Sequence, residues 1–139
     1  MRLDHVAVGV RDLRTAAQIF IDLMGGEPLI DRGANETEGF EWMTFRLGGA
    51  KIELVAPHGG TKGAVRRYIE KYGEGLHHIS VSVRNIEHAV AYFESRGIRL
   101  LGLNVEDPEF KHCYLHPADT CGVLIQVFEE SARTLRNSS

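Results

Sequence analysis

An eleven-residue stretch near the N-terminus returns 73 positions later, so the chain is built on two copies of one plan. Leu3-Asp4-His5-Val6-Ala7-Val8-Gly9-Val10-Arg11-Asp12-Leu13 lies over Leu76-His77-His78-Ile79-Ser80-Val81-Ser82-Val83-Arg84-Asn85-Ile86. Five of these positions are identical and five are close substitutions; only Asp4 against His77 is unlike. At the same offset, Lys51-Ile52-Glu53-Leu54-Val55 lies over Leu124-Ile125-Gln126-Val127-Phe128.

The register pairs His5 with His78 and Glu53 with Gln126. Duplication preserves apolar residues because a core must be kept. It has no such reason to keep an imidazole and a side-chain oxygen donor at corresponding strand centres. A carboxylate inside Ile-Glu-Leu-Val is seldom buried unless it is paired or coordinating. Two copies facing each other would bring His5, Glu53, His78 and Gln126 together as metal-ligand candidates.

Hydrophobic periodicity gives each copy the same element order. Residues of about 3–10 read as a strand, Asp12 as an N-cap, and Leu13, Ala16, Ala17, Phe20 and Met24 as the apolar face of a helix. Gly25-Gly26 ends that helix, and strand-like runs follow at about 28–31, 40–47 and 50–55. The second copy reads as a strand at about 78–83, a helix from an Asn85 cap to about Gly97, then strands at about 98–103, 110–116 and 122–128. Between the copies, Pro57–Gly63 is a loop and about 64–72 a connecting helix.

The fold class expected is α+β: two pseudo-symmetric βαβββ modules forming a half-open barrel around a metal-binding cup. Residues 1–130 make one domain, with module one at about 1–56, the connecting segment at about 57–75 and module two at about 76–130. Residues 131–139 read as a polar tail that frays.

One parity of strand 40–47 offers Glu41, Met43, Phe45 and Leu47; the other offers Phe40, Trp42, Thr44 and Arg46. Both faces are mixed, so the strand does not settle its own orientation. With the Met43 face turned inward, Glu41 would enter the cup as a desolvated general base.

A net charge of −3 offers no general attraction to nucleic acid. No apolar run approaches a membrane span, and the charged N-terminus is no secretory signal. Cys113 and Cys121 lack metal or redox spacing, so the compartment expected is the cytoplasm. Lys62, Arg66, Arg67 and Lys71 form a basic run, read either as a solvated helix face or as a phosphate contact.

With these positions in place, the chain resembles the vicinal oxygen chelate superfamily (glyoxalase, bleomycin resistance, dioxygenase), and within it the methylmalonyl-CoA epimerases. The likeness runs from Leu3-Asp4-His5-Val6-Ala7-Val8 to Gly122-Val123-Leu124-Ile125-Gln126. Its most specific stretches are Gly73-Glu74-Gly75-Leu76-His77-His78-Ile79 and Tyr114-Leu115-His116-Pro117. The resemblance implies His5, Glu53, His78 and Gln126 as ligands of a divalent metal, for which Co²⁺, Mn²⁺, Ni²⁺ and Zn²⁺ all suit the donor set.

It implies an isomerase that epimerises a 2-branched acyl-CoA by removing the proton α to the thioester. Glu53 and Glu41 are its two proton-transferring carboxylates, with Glu36, Glu38 and Tyr114 as substitutes for the second. The epimerases usually carry glutamate where Gln126 stands; here the acid has moved to position 53. An acyl-CoA substrate and a homodimer are the partners it implies. The rival readings are a glyoxalase I-like lyase acting on a glutathione hemithioacetal and a metal-free protein that sequesters an antibiotic.

Overall fold

The computed structural model describes residues 1–60 and 62–137. Thr61, in the expected loop, and Ser138 and Ser139, in the expected tail, lie outside the described residues. The chain forms two compact units: Val6–His77, and Met1–His5 together with the chain from His78 onward.

In the Val6–His77 unit, the Val6–Gly9 part of β1 (Arg2–Gly9) runs parallel to β4 (Ala50–Pro57). β4 pairs antiparallel with β3 (Phe40–Leu47), and β3 with β2 (Glu27–Asn35). Helix α1 (Leu13–Ala17) starts where the Asp12 carboxylate accepts the Thr15 backbone N–H at 2.7 Å, a side-chain cap for an otherwise orphaned donor. Its Ala16 packs with Val10, Phe45, Leu54 and Ala56 on one face of the sheet. The expected long helix is corrected beyond Ala17: Gln18–Leu23 widen into a π-helical turn, with Met24 N–H reaching Ile19 O at 3.1 Å. β2 is longer than expected, because Arg32–Asn35 pair with β3 despite lacking apolar alternation.

The other face of β3 and β4 is covered by α2 (Ala64–Tyr72), whose Val65 and Ile69 pack on Val55, with Phe40, Trp42 and Tyr68 around them. β4 is therefore helix-packed on both faces. Its alternation sends Leu54 and Ala56 toward α1, and Val55 toward α2.

In the second unit, β5 (Gly75–Val83) runs parallel to β8 (Ile125–Glu129), followed by antiparallel β7 (His112–Leu115) and β6 (Leu100–Asn104). Helix α3 (Ile86–Ser95) is capped by Asn85, whose amide oxygen accepts the His88 N–H at 2.7 Å. Ile86, Ala89 and Phe93 bury against Cys113, Leu115 and Val127. Each large aliphatic or aromatic side chain placed there contributes roughly 1.5–3 kcal/mol. That burial pushes the Cys113 thiol up to about 11. The expected fraying tail is corrected over Ala132–Asn137, which form α4, started by Ser131 and Thr134 exchanging side-chain-to-backbone bonds.

The strand order is β2-β3-β4-β1 in the first copy and β5-β8-β7-β6 in the second, an α+β fold as expected.

Candidate metal centre

His5 sits on β1, buried, with its Nδ1 2.8 Å from the Asp4 carboxylate. A carboxylate accepts, so Nδ1 carries the proton and Nε2 presents its lone pair. This is the arrangement that orients a metal-binding imidazole. Asp4 is itself only 3% exposed, so the orienting group is held inside the protein. Sequence reasoning missed it: Asp4 is the unlike position in the repeat, and its adjacency to His5 was the available signal.

His78 is the counterpart on β5, its ring 5.7 Å from that of His5 and set edge-on to it. Two residues along the same face, Ser80 stands in register with Gln126 of β8, which stands in register with Tyr114 of β7. Ser80 Oγ–H donates to Gln126 Oε1 at 2.7 Å, and Gln126 Nε2 donates to Tyr114 Oη at 2.9 Å. Both hydroxyls can reverse their roles, so either orientation of the amide keeps two partners. Gln126 is thus fixed on the face that carries His78.

Glu53 of β4 stands opposite Thr44 on β3 and beside the fully buried Ala7 on β1. Ala7 and Ser80 are equivalent in the repeat, so a small residue flanks each oxygen donor. His5, Glu53 and His78 each offer a ligand atom, and these atoms lie within 4.8 Å of one another. Two imidazoles and a carboxylate at that spacing suit a divalent transition metal or zinc.

The inward orientation expected for Glu41 is corrected. Glu41 stands opposite Ala56 in the uninterrupted β3–β4 register, on the face where Met43 and Phe45 pack toward α1. Glu53, Thr44 and Trp42 occupy the opposite face. Both parities carry large apolar side chains because both faces of β3 are helix-covered. His58 Nδ1 lies 3.4 Å from Glu41, and its Nε2 lies 2.7 Å from Glu36, so the expected second base and one of its substitutes meet at an imidazole.

Helix α2 brings the basic run to the Glu53 side of the sheet, since Val65 and Ile69 pack on the Val55–Trp42 face. Beside it, Arg11, Pro57, Arg66, Ile69 and Glu70 line an open cavity of about 190 Å³. Sequence reasoning also missed the pairing of Lys51 with Asp31 on this face, at 3.7 Å.

A family model described as the glyoxalase/bleomycin resistance protein/dioxygenase superfamily matches residues 4–114. The chain belongs to this superfamily. Among curated members, the human mitochondrial methylmalonyl-CoA epimerase is 31% identical over 134 residues, spanning 91% of this chain and 72% of the human protein. The ethylmalonyl-CoA/methylmalonyl-CoA epimerase of Cereibacter sphaeroides is 33% identical over 135 residues, spanning 91% of this chain and 96% of that protein. The crystal structure of methylmalonyl-CoA epimerase from Mycobacterium tuberculosis superposes with a TM-score of 0.81 at 25% identity, covering 96% of this chain and 91% of that one. Superfamily membership accounts for the paired βαβββ plan. Among the described residues, no helix is long and apolar enough to cross a membrane.

Proposed function

We propose that this superfamily member is an epimerase of a 2-branched acyl-CoA such as methylmalonyl-CoA, with His5, Glu53, His78 and Gln126 as ligands of a divalent metal ion. The carrying observation is the convergence of His5, Glu53 and His78, which matches the chemistry of such a site. The names of the human and Cereibacter sphaeroides relatives support the substrate class. Co²⁺, Mn²⁺, Ni²⁺ and Zn²⁺ all fit the donor set. A divalent cation held there supplies Lewis-acid stabilisation of negative charge on the substrate's oxygens.

The chain's own residues handle the protons. Glu53 removes the proton α to the thioester, because it is the carboxylate that shares this site with the two imidazoles. Gln126 keeps its amide neutral and cannot act as a base. Tyr114, bonded to Gln126, is the proton donor on the second face. Its phenol supplies a proton that the amide lacks, which completes an inversion. Asp4 holds His5 in the tautomer that leaves Nε2 as the ligand atom.

The substrate's phosphates are drawn by the cationic edge of α2. A homodimer is supported by apolar side chains left exposed on the outer strands, Ile30 on β2 and Leu101 and Leu103 on β6. The cytoplasm is the compartment proposed, in keeping with two free cysteines among the described residues.

Replacing Glu53 by Gln keeps an oxygen ligand and removes the base. E53Q should retain at least half of the wild-type metal content and lose at least a hundredfold in epimerisation, within the range for removing a general base. Turnover within threefold of wild type would remove Glu53 from the mechanism.

A further inference from the structure

Lys51 puts an ammonium in a nearly buried position on the sheet. Its side chain is 8% exposed on β4, two residues from Glu53 and on the same face, opposite Arg46 of β3. Lysine usually lays its methylenes on apolar surface and keeps the ammonium in water. Here the head is withdrawn with the stem.

An acidic neighbour, the Asp31 carboxylate, lies at 3.7 Å, within ion-pair range but longer than a direct N–H···O bond. Asp31 is held from behind. Its Oδ1 accepts the Trp42 indole N–H at 3.1 Å, and its backbone carbonyl accepts the hydroxyl of the buried Thr44 at 2.8 Å. Gly33 of β2 makes this possible: a Cβ there would come within 2.9 Å of the Trp42 ring, so its absence lets the indole lie across the strand. A buried ion pair by itself contributes little to stability, since desolvation offsets the attraction. The two bonds from β3 fix the position of the carboxylate that Lys51 faces.

We propose that Lys51 is the specificity residue for the free carboxylate of a 2-carboxyacyl thioester, with Asp31 and Trp42 as its positioning residues. The inference rests on the epimerase reading and deepens it. Methylmalonyl-CoA and ethylmalonyl-CoA, the substrates in the relatives' names, both carry a carboxylate on the carbon whose proton would be removed. An ammonium on the Glu53 face meets that carboxylate while Glu53 meets the proton. Lys51 thereby separates malonyl-type thioesters from simple acyl thioesters of equal length. It also neutralises a charge that would otherwise raise the cost of forming a carbanion beside it.

Trp42 is the chain's single tryptophan and touches Asp31, so its emission reports on this cluster. Full-length protein loaded with Zn²⁺ is titrated with malonyl-CoA, propionyl-CoA and free malonate, for wild type, K51M and K51R. A charge-assisted hydrogen bond corresponds to about tenfold or more in affinity. Wild type should bind malonyl-CoA at least tenfold more tightly than propionyl-CoA. K51M should lose about tenfold for malonyl-CoA and less than twofold for propionyl-CoA, and K51R should regain most of the difference.

Equal weakening of both thioesters in K51M, or an undiminished preference for malonyl-CoA, overturns the assignment. Should K51M fail to fold, K51R and K51Q carry the same comparison. Malonate bound in a Lys51-dependent way without any CoA thioester binding would uphold Lys51 and overturn the acyl-CoA reading. Malonate and thioester binding that are both indifferent to Lys51 would overturn the proposal outright.

Discussion

The repeat made individual residues legible only where both copies kept the same chemistry. His5, His78 and Glu53 were readable from register alone, because an imidazole or carboxylate on an apolar strand needs a reason to stay there. Asp4 and Lys51 were not, because their counterparts at the 73-residue offset, His77 and Leu124, are of another kind; Asp31 was not, because its counterpart Asn104 lies outside the two stretches that align. Glu41 shows the opposite failure. Its residue type suited a base, but parity was undetermined, and the β3–β4 register sends it toward Ala56. E41Q should accordingly keep α-proton exchange within about twofold of wild type, since Glu41 stands on the face of β3 opposite to that of Thr44 and Glu53. A tenfold loss of exchange in a folded E41Q protein would return Glu41 to the reacting face.

At the scale of elements, apolar periodicity located nearly every strand and helix, while the details depended on contacts distant in sequence. The turn after α1 is an example. Phe20 and Phe45 pack with ring centroids 5.6 Å apart, and the chain must pass close beneath them. Gly26 occupies that passage, where an added Cβ would meet both Phe20 O and Phe45 Cδ2 at 2.7 Å. Phe45 is fully buried and pinned between Leu54 and Ala16, so it has little room to withdraw. G26A should destabilise the protein by about 1–3 kcal/mol, the usual cost of overpacking a core. A urea denaturation midpoint unchanged from wild type would show that the turn relaxes freely. The π-helical Gln18–Leu23 was not readable beforehand, since α and π turns share their apolar residues.

For the whole molecule, duplication does two things at once. It builds two βαβββ copies from local signals, and it carries a His and an oxygen donor in each. The fold class followed from that pattern, and superfamily membership agrees with it. The copies have since diverged at the positions that matter for chemistry. The carboxylate is Glu53 in the first, and its equivalent in the second is an amide bonded to Ser80 and Tyr114. Under the proposed reading, the two proton transfers fall to a carboxylate in one copy and a phenol in the other.

The most direct measurement is α-proton exchange of methylmalonyl-CoA in D₂O, with added Co²⁺ and with a chelated control. Metal-dependent deuterium uptake accompanied by inversion at the α-carbon is the expected result. No uptake in protein shown to be folded and metal-loaded would contradict it.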